Sequence, residues 1–192
     1  MKVLVITPEE AVDQELETCN RLLAEGLERL HIRKPHWKER ELRKYIESIE
    51  ESFRHKISLH QHHQLADEMG LGGIHFKSNE NVTKSVRIRS KSCHSVEEIV
   101  DIEFDIDYVF LSPVFDSISK TGYKGRIELD KLDCRQVKTR IVALGGINGN
   151  NIRMLHSCHF FGVAILGSIW KQNTPEDRYK AYLMIKSAAE TR

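Results

Sequence analysis

The sequence predicts an α/β fold, a compact (β/α)8 TIM barrel in a single domain over residues 1–192, and three observations carry that expectation. Eight short runs rich in Val and Ile recur along the chain, polar stretches of helical periodicity separate most of them, and no Pro-, Gly- or Ser-rich linker divides the whole. Strands alternating with helices build a parallel sheet covered by helices. The rival, an open doubly wound sheet, uses fewer strands than eight. The chain has 192 residues, against ~250 for most such barrels, so its helices must be short and some connections irregular.

"VLVIT" (3–7) is the first run, and residues 12–25 follow it with Leu16, Leu22 and Leu23 in an amphipathic pattern that Gly26 ends as a C-cap. After "RLHIR" (29–33), residues 37–53 keep Leu42, Tyr45, Ile46 and Ile49 on one face of a helix. "ISLH" (57–60) and "GIHF" (73–76) are the third and fourth runs. "VRIRS" (86–90) precedes a short helix with a capping box of Ser95 and Glu98. "YVFLS" (108–112), "IVALG" (141–145) and "GVAIL" (162–166) complete the set. The last helix, 176–190, takes Thr174 as N-cap and Pro175 as its first residue.

Composition narrows the function. Lys plus Arg (29) nearly balances Asp plus Glu (28), which gives no reason to expect nucleic-acid or membrane partners. Cys19, Cys93, Cys134 and Cys158 show no C-x-x-C spacing, so reduced thiols in a cytoplasmic protein are expected rather than disulfides or a thiolate metal cage. The first apolar run is too short for a signal peptide, and no run approaches the roughly 20 residues of a membrane span. Small molecules are the partners left, which the strand ends below mark as phosphorylated, with a homo-oligomer left open.

Barrel active sites lie at the C-terminal ends of the strands. Here those ends carry Thr7, Arg33, His60 with Gln61, His75 with Lys77, Ser92 with His94, Ser112, Gly145-Gly146 and Gly167-Ser168. The set is basic and rich in hydroxyls, and small residues crowd its last strands, the composition of a phosphate site. "ALGGIN" (143–148) and "ILGSIW" (165–170) follow strands seven and eight, where barrels often seat a phosphate. Arg33 at a strand end suits bidentate phosphate recognition. In "HQHHQ" (60–64) the histidines lack the i, i+4 spacing of a helical metal site, so none is expected there; His62 and His63 read as the start of a solvated helix. Cys93 alternates with Ser92 and His94 and so faces away from them, buried and inert. No Ser/His/Asp or Cys/His nucleophile pattern is present.

"LHIR", "GIHF", "SCHSVEE", "DYVFLSPVFDSISK", "ALGGIN" and "GVAILGSI" fall in the order and spacing of one family. Over nearly its whole length the chain resembles the thiamine phosphate synthase and thiazole tautomerase family. The resemblance implies a TIM barrel that joins hydroxymethylpyrimidine diphosphate to thiazole phosphate with Mg²⁺ and releases diphosphate. It implies that Ser117, Ser119 and Lys120 hold the departing diphosphate, with Arg33 sharing its charge, and that Lys120 and Arg33 carry the catalysis. Ser92 would sit near the pyrimidine, while Gly146, Gly167 and Ser168 would cradle the thiazole phosphate. Leaving-group charge neutralised by cations, without a protein nucleophile, fits the absent triad. The sequence departs from the family at four places. Lys34-Pro35 follows Arg33 where the family has Arg-x-Lys. His60-Gln61 stands in the substrate pocket where the family has Asn and a metal-binding Asp, and Glu80 aligns with the second metal Asp. Pro113 takes the place of the tautomerase's catalytic His. A tautomerase-like isomerase using His60, His75 or His94, or a non-catalytic binder of such phosphates, is the alternative.

Overall fold

The computed structural model describes residues 1–83, 87–102, 106–116 and 127–191. Eight strands run β1 (Lys2–Ile6), β2 (Arg29–Ile32), β3 (Ile57–Leu59), β4 (Gly73–Phe76), β5 (Ile88–Cys93), β6 (Tyr108–Leu111), β7 (Arg140–Leu144) and β8 (Gly162–Ile165). Each pairs in parallel with the next, and β8 closes on β1 with Val163 opposite Val3. The expected barrel forms. Its helices are α1 (Glu15–Ala24), α2 (Glu39–Glu47), α3 (Gln64–Glu68), α4 (Val96–Val100), α5 (Gly167–Trp170) and α6 (Pro175–Glu190).

Local chemistry sets the boundaries. α1 stops where Gly26, at φ +96°, donates to Leu23 O and Leu27 donates to Leu22 O, a Schellman closure with Leu22 and Leu27 both buried. Thr174 Oγ1 accepts from the Asp177 N–H at 3.1 Å and starts α6 with Pro175 first. Ser95 Oγ accepts from the Glu98 N–H, but Glu98 Oε2 accepts in return from the His94 N–H, one residue ahead of the cap. Two expectations shift. The helix over 37–53 shortens to α2 and resumes as a 3-10 turn at Glu51–Lys56. The fifth strand runs two to three residues further on than "VRIRS" suggests, because Ser90 and Ser92, two of its inward residues, carry no apolar signal.

Side chains alternate between two cores. The larger lies between sheet and helices, with Leu22, Leu42, Ile46, Ile74, Leu111 and Ile165 among its members. The barrel interior is divided. Leu4, Ile6, Tyr108, Phe110, Val142 and Ala164 pack its β1 and β6–β8 side. His31, Ser58, His75 and Ser90, all buried, line the β2–β5 side. That polar half sits beneath the mouth.

Above the rim the β6–β7 ladder continues past the strands. The Val114 N–H donates to Leu144 O at 3.0 Å and the Phe115 N–H to Gly145 O at 3.2 Å. Gly145 (φ +107°) and Gly146 (φ +64°) permit this approach, since a Cβ on Gly146 would lie 2.2 Å from Asp116 O.

Candidate functional site

The polar half of the barrel gathers three histidines from adjacent strands. His31 comes from β2, His60 from the residue after β3 and His75 from β4. His31 Nδ1 lies 3.1 Å from His60 Nε2, and the His60 and His75 rings stack at 4.1 Å. One ring nitrogen of each falls within 4.8 Å of the others, the arrangement of a metal-capable group. His31 Nε2 meets the Tyr108 hydroxyl at 2.7 Å. Ser90 Oγ and Ser92 Oγ each lie 2.9 Å from His75, at Nδ1 and Nε2. Phe110 closes the floor against His31 and His75.

Burial keeps these imidazoles neutral. Desolvation, with smaller repulsions from neighbouring cationic groups, holds His31 and His60 well below 6.5 and takes His75 down to about 3. Burial also raises Tyr108 to about 12, so its phenol stays protonated. The cluster can donate and accept hydrogen bonds at neutral pH without carrying charge.

The sequence-expected residues divide. His60 and Ser92 meet in the cluster through His75. Gln61 follows His60, and its Nε2 is buried without a hydrogen-bond partner. Arg33 pairs with Glu9 at 2.5 Å, both partly exposed. Lys34 goes elsewhere. Its fully buried ammonium contacts Glu15 at 2.9 Å, beneath Trp37 and Tyr45. Glu80 accepts from the Lys77 N–H at 2.7 Å and stands outside the histidine group. Gly146 O accepts from Asn151 Nδ2, and Ser168 Oγ donates to Ile147 O, joining the loops after β7 and β8. A cleft of about 260 Å³ beside them is lined by Asn148, Gly149, Gly167, Ser168 and Lys171. Ser117, Ser119 and Lys120 lie outside the described residues.

Two readings need correction. His63 is the N-cap of α3 and His62 O accepts from the Leu65 N–H, so the pair does begin a helix, but their side chains are tied to the protein rather than free in solvent. His62, at φ +52°, donates through Nε2 to Trp37 O, and His63 donates to His75 O, both partly buried. A metal-capable group does involve the "HQHHQ" segment, through His60 alone, joined by partners from other strands. His31 was missed as a site residue. Its signal was its inward position in "LHI", two residues before Arg33 on the same strand. Cys93 is buried, its thiol pushed up to about 11 by desolvation, and it faces the outer core.

A closed parallel barrel with a polar interior half, an arginine just after β2 and a glycine-turned loop after β7 defines a TIM-barrel protein. A family model described as thiamine monophosphate synthase matches residues 3–169, and the chain belongs to that family. It is 31% identical over 115 residues to the thiamine-phosphate synthase of Lysinibacillus sphaericus, covering 55% of this chain and 54% of that one. It is 32% identical over 117 residues to that of Listeria welshimeri, covering 55% and 56%. The chain thus spans about half the length of the curated relatives it matches. Among solved structures, a thiamine phosphate pyrophosphorylase from Bacteroides thetaiotaomicron superposes with a TM-score of 0.83 at 27% identity, covering 100% of both chains. One from Pyrococcus furiosus gives 0.82 at 23% identity over 98% and 95% of the two chains, a likeness of fold. No helix among the described residues is long and apolar enough to cross a membrane.

Proposed function

We propose that the chain is a thiamine phosphate synthase-like transferase, joining a hydroxymethylpyrimidine diphosphate to a thiazole phosphate with release of diphosphate. The observation that carries this reading is the family match over residues 3–169, which takes in all eight strands and the Gly167-Ser168 turn. In the reaction the bond between the pyrimidine methylene and the diphosphate oxygen breaks. The thiazole nitrogen then bonds to that carbon, and diphosphate departs.

Within this reading Arg33 and Lys120 neutralise the departing charge, helped by the Ser117 and Ser119 hydroxyls. To act so, Arg33 must exchange its Glu9 partner for phosphate oxygens. Ser92, hydrogen-bonded to a neutral His75, would position the pyrimidine, with the buried amide of Gln61 donating to a ring acceptor. Gly146, Gly167 and Ser168 would hold the thiazole phosphate. The four cysteines are free and buried, which supports a cytoplasmic setting.

Magnesium, which the resemblance implies, requires oxygen donors in a hard, near-octahedral shell. The described residues do not fit it. The carboxylate of Glu80 is engaged by Lys77, Gln61 supplies no charge, and the metal-capable group consists of imidazoles. No step is routed through that ion.

The test is diphosphate release from the two substrates by the purified chain. Release that disappears in Lys120→Ala, with its circular dichroism unchanged, is the expected result. Turnover of a thiazole carboxylate phosphate alone, without the pyrimidine partner, would replace this reading with an isomerase.

A further inference from the structure

We propose that His31, His60 and His75 form a three-imidazole site for a divalent transition metal of the zinc class, with a fourth position open beside Ser92. The inference rests on the interior cluster alone and does not depend on which substrates the chain joins.

Geometry carries it. Two nitrogens bound to one tetrahedral zinc at 2.0–2.1 Å sit about 3.3–3.4 Å apart. His31 Nδ1 and His60 Nε2 are 3.1 Å apart, and a nitrogen of His75 completes a group spanning at most 4.8 Å. Strands β2 and β4 supply two of these groups and the residue after β3 the third, which the His60 N–H bond to Ile32 O keeps in register, so the sheet fixes their spacing.

The surrounding hydrogen bonds orient the lone pairs as metal sites do. Ser90 Oγ donates to Ile74 O at 3.3 Å, so toward His75 it accepts from Nδ1–H. That leaves the Nε2 lone pair of His75 facing Ser92. The Tyr108 oxygen, 2.7 Å from His31 Nε2, can accept its proton and leave Nδ1 directed at His60. Both outer nitrogens are thus held by hydroxyls from β5 and β6. His31 Nδ1 meets His60 Nε2, while His75 Nε2 faces Ser92 and its ring stacks on His60, so metal binding would have to open that stack.

The donor type selects the metal. Imidazole suits Zn²⁺, Co²⁺, Ni²⁺ or Cu²⁺ and is a poor match for Mg²⁺. Three neutral ligands and an open position are the composition of a metal that binds an external oxygen. His31 and His75 are buried, whereas His60 and Ser92 are half-buried, so the open position faces the mouth of the barrel. Because the three donors leave the +2 charge uncompensated, the fourth ligand expected is an anionic oxygen, from hydroxide or from a phosphorylated ligand.

The experiment uses the full chain, treated with a chelator and titrated with Co²⁺ alone. Binding of one equivalent, with the intense visible absorption of tetrahedral Co²⁺ and displacement by Zn²⁺ but not by excess Mg²⁺, is expected. His60→Gln and His75→Asn should each weaken binding by roughly a hundredfold or more, while His62→Gln should leave it intact. Should the variants fail to fold, X-ray absorption at the zinc edge of the unaltered chain reads the donor set directly. A shell containing three imidazoles supports the site. A sulfur-bearing or all-oxygen shell, no tetrahedral Co²⁺ spectrum, or binding unchanged in folded His60→Gln would overturn it.

Discussion

Lys34 Nζ lies 2.9 Å from Glu15 Oε2 with both side chains buried, so the second of two consecutive cations after β2 belongs to the scaffold. Tyr45 donates its hydroxyl to the other oxygen of Glu15, and the Val12 N–H donates to Oε2. Arg33, its neighbour in sequence, remains partly exposed on the opposite side of the strand end. Alternation along an extended chain thus separates two adjacent positive charges into different roles.

Removing Lys34 strands a buried carboxylate. Lys34→Met is expected to destabilise the fold by about 3–5 kcal/mol, the usual loss when one member of a buried pair is deleted. Guanidinium midpoints measure it. Lys34→Met combined with Glu15→Leu should recover part of the loss, and a single variant as stable as the parent would remove the pair from the account of stability.

Arg33 gives the opposite pattern. Its pair with Glu9 is partly exposed on both sides and is worth no more than about 1 kcal/mol. Arg33→Ala should therefore unfold near the parent temperature while raising the KM for the diphosphate substrate by roughly tenfold to a hundredfold, the value of a charged hydrogen bond. Glu9→Gln should lower that KM by releasing the guanidinium. Equal KM in both variants would show that Arg33 does not reach the substrate.

At Gly146 any side chain meets the backbone of the preceding loop, 2.2 Å away at Asp116 O, in a left-handed conformation. Gly146→Ala is expected to cost about 1–3 kcal/mol and to displace residues 113–116. Substrate affinity should fall further than stability does. Titration calorimetry beside thermal melts separates the two, and unaltered affinity would mean that this loop contact is dispensable.

Acid should destabilise the metal-free chain earlier than its carboxylates require. His75 titrates at about 3 in the fold and near 6.5 when unfolded, so between these values the unfolded state binds more protons. Stability contributed by neutral His75 is complete above pH 6.5 and is lost as pH falls, by about 1.4 kcal/mol per unit. His31 and His60 are shifted the same way. Urea midpoints from pH 7 to 5, with chelator present, should drop steeply, and His75→Gln should flatten the slope. A flat parent profile would contradict the neutral cluster.

Short, near-continuous apolar runs made all eight strands legible, because strands of a parallel sheet are buried on both faces. β5 was displaced since Ser90 and Ser92 serve His75 instead of a greasy interior. The glycine pair after β7 and the Gly167-Ser168 step after β8 were visible as small residues at strand ends, and Arg33 as a strand-end cation. Two things were hidden. The fate of Lys34 depends on Glu15, 19 residues earlier, which no local pattern connects to it. The histidine cluster needs lateral neighbours. His31, His60 and His75 are separated by 29 and then 15 residues, and only strand register brings His31 and His60 to 3.1 Å. A search for ligand spacing within one helix cannot find donors that come from three strands.

The ladder that continues above the rim, Val114 to Leu144 and Phe115 to Gly145, ties the segments after β6 and β7 into one piece of backbone. Rigidity gained by one is inherited by the other. Within the proposed function, a ligand held at Gly145-Gly146 would also steady residues 113–116, so a second ligand placed against those residues would bind more tightly with no new contact to the first. Two segments built on separate strands would thereby share a single cost of ordering.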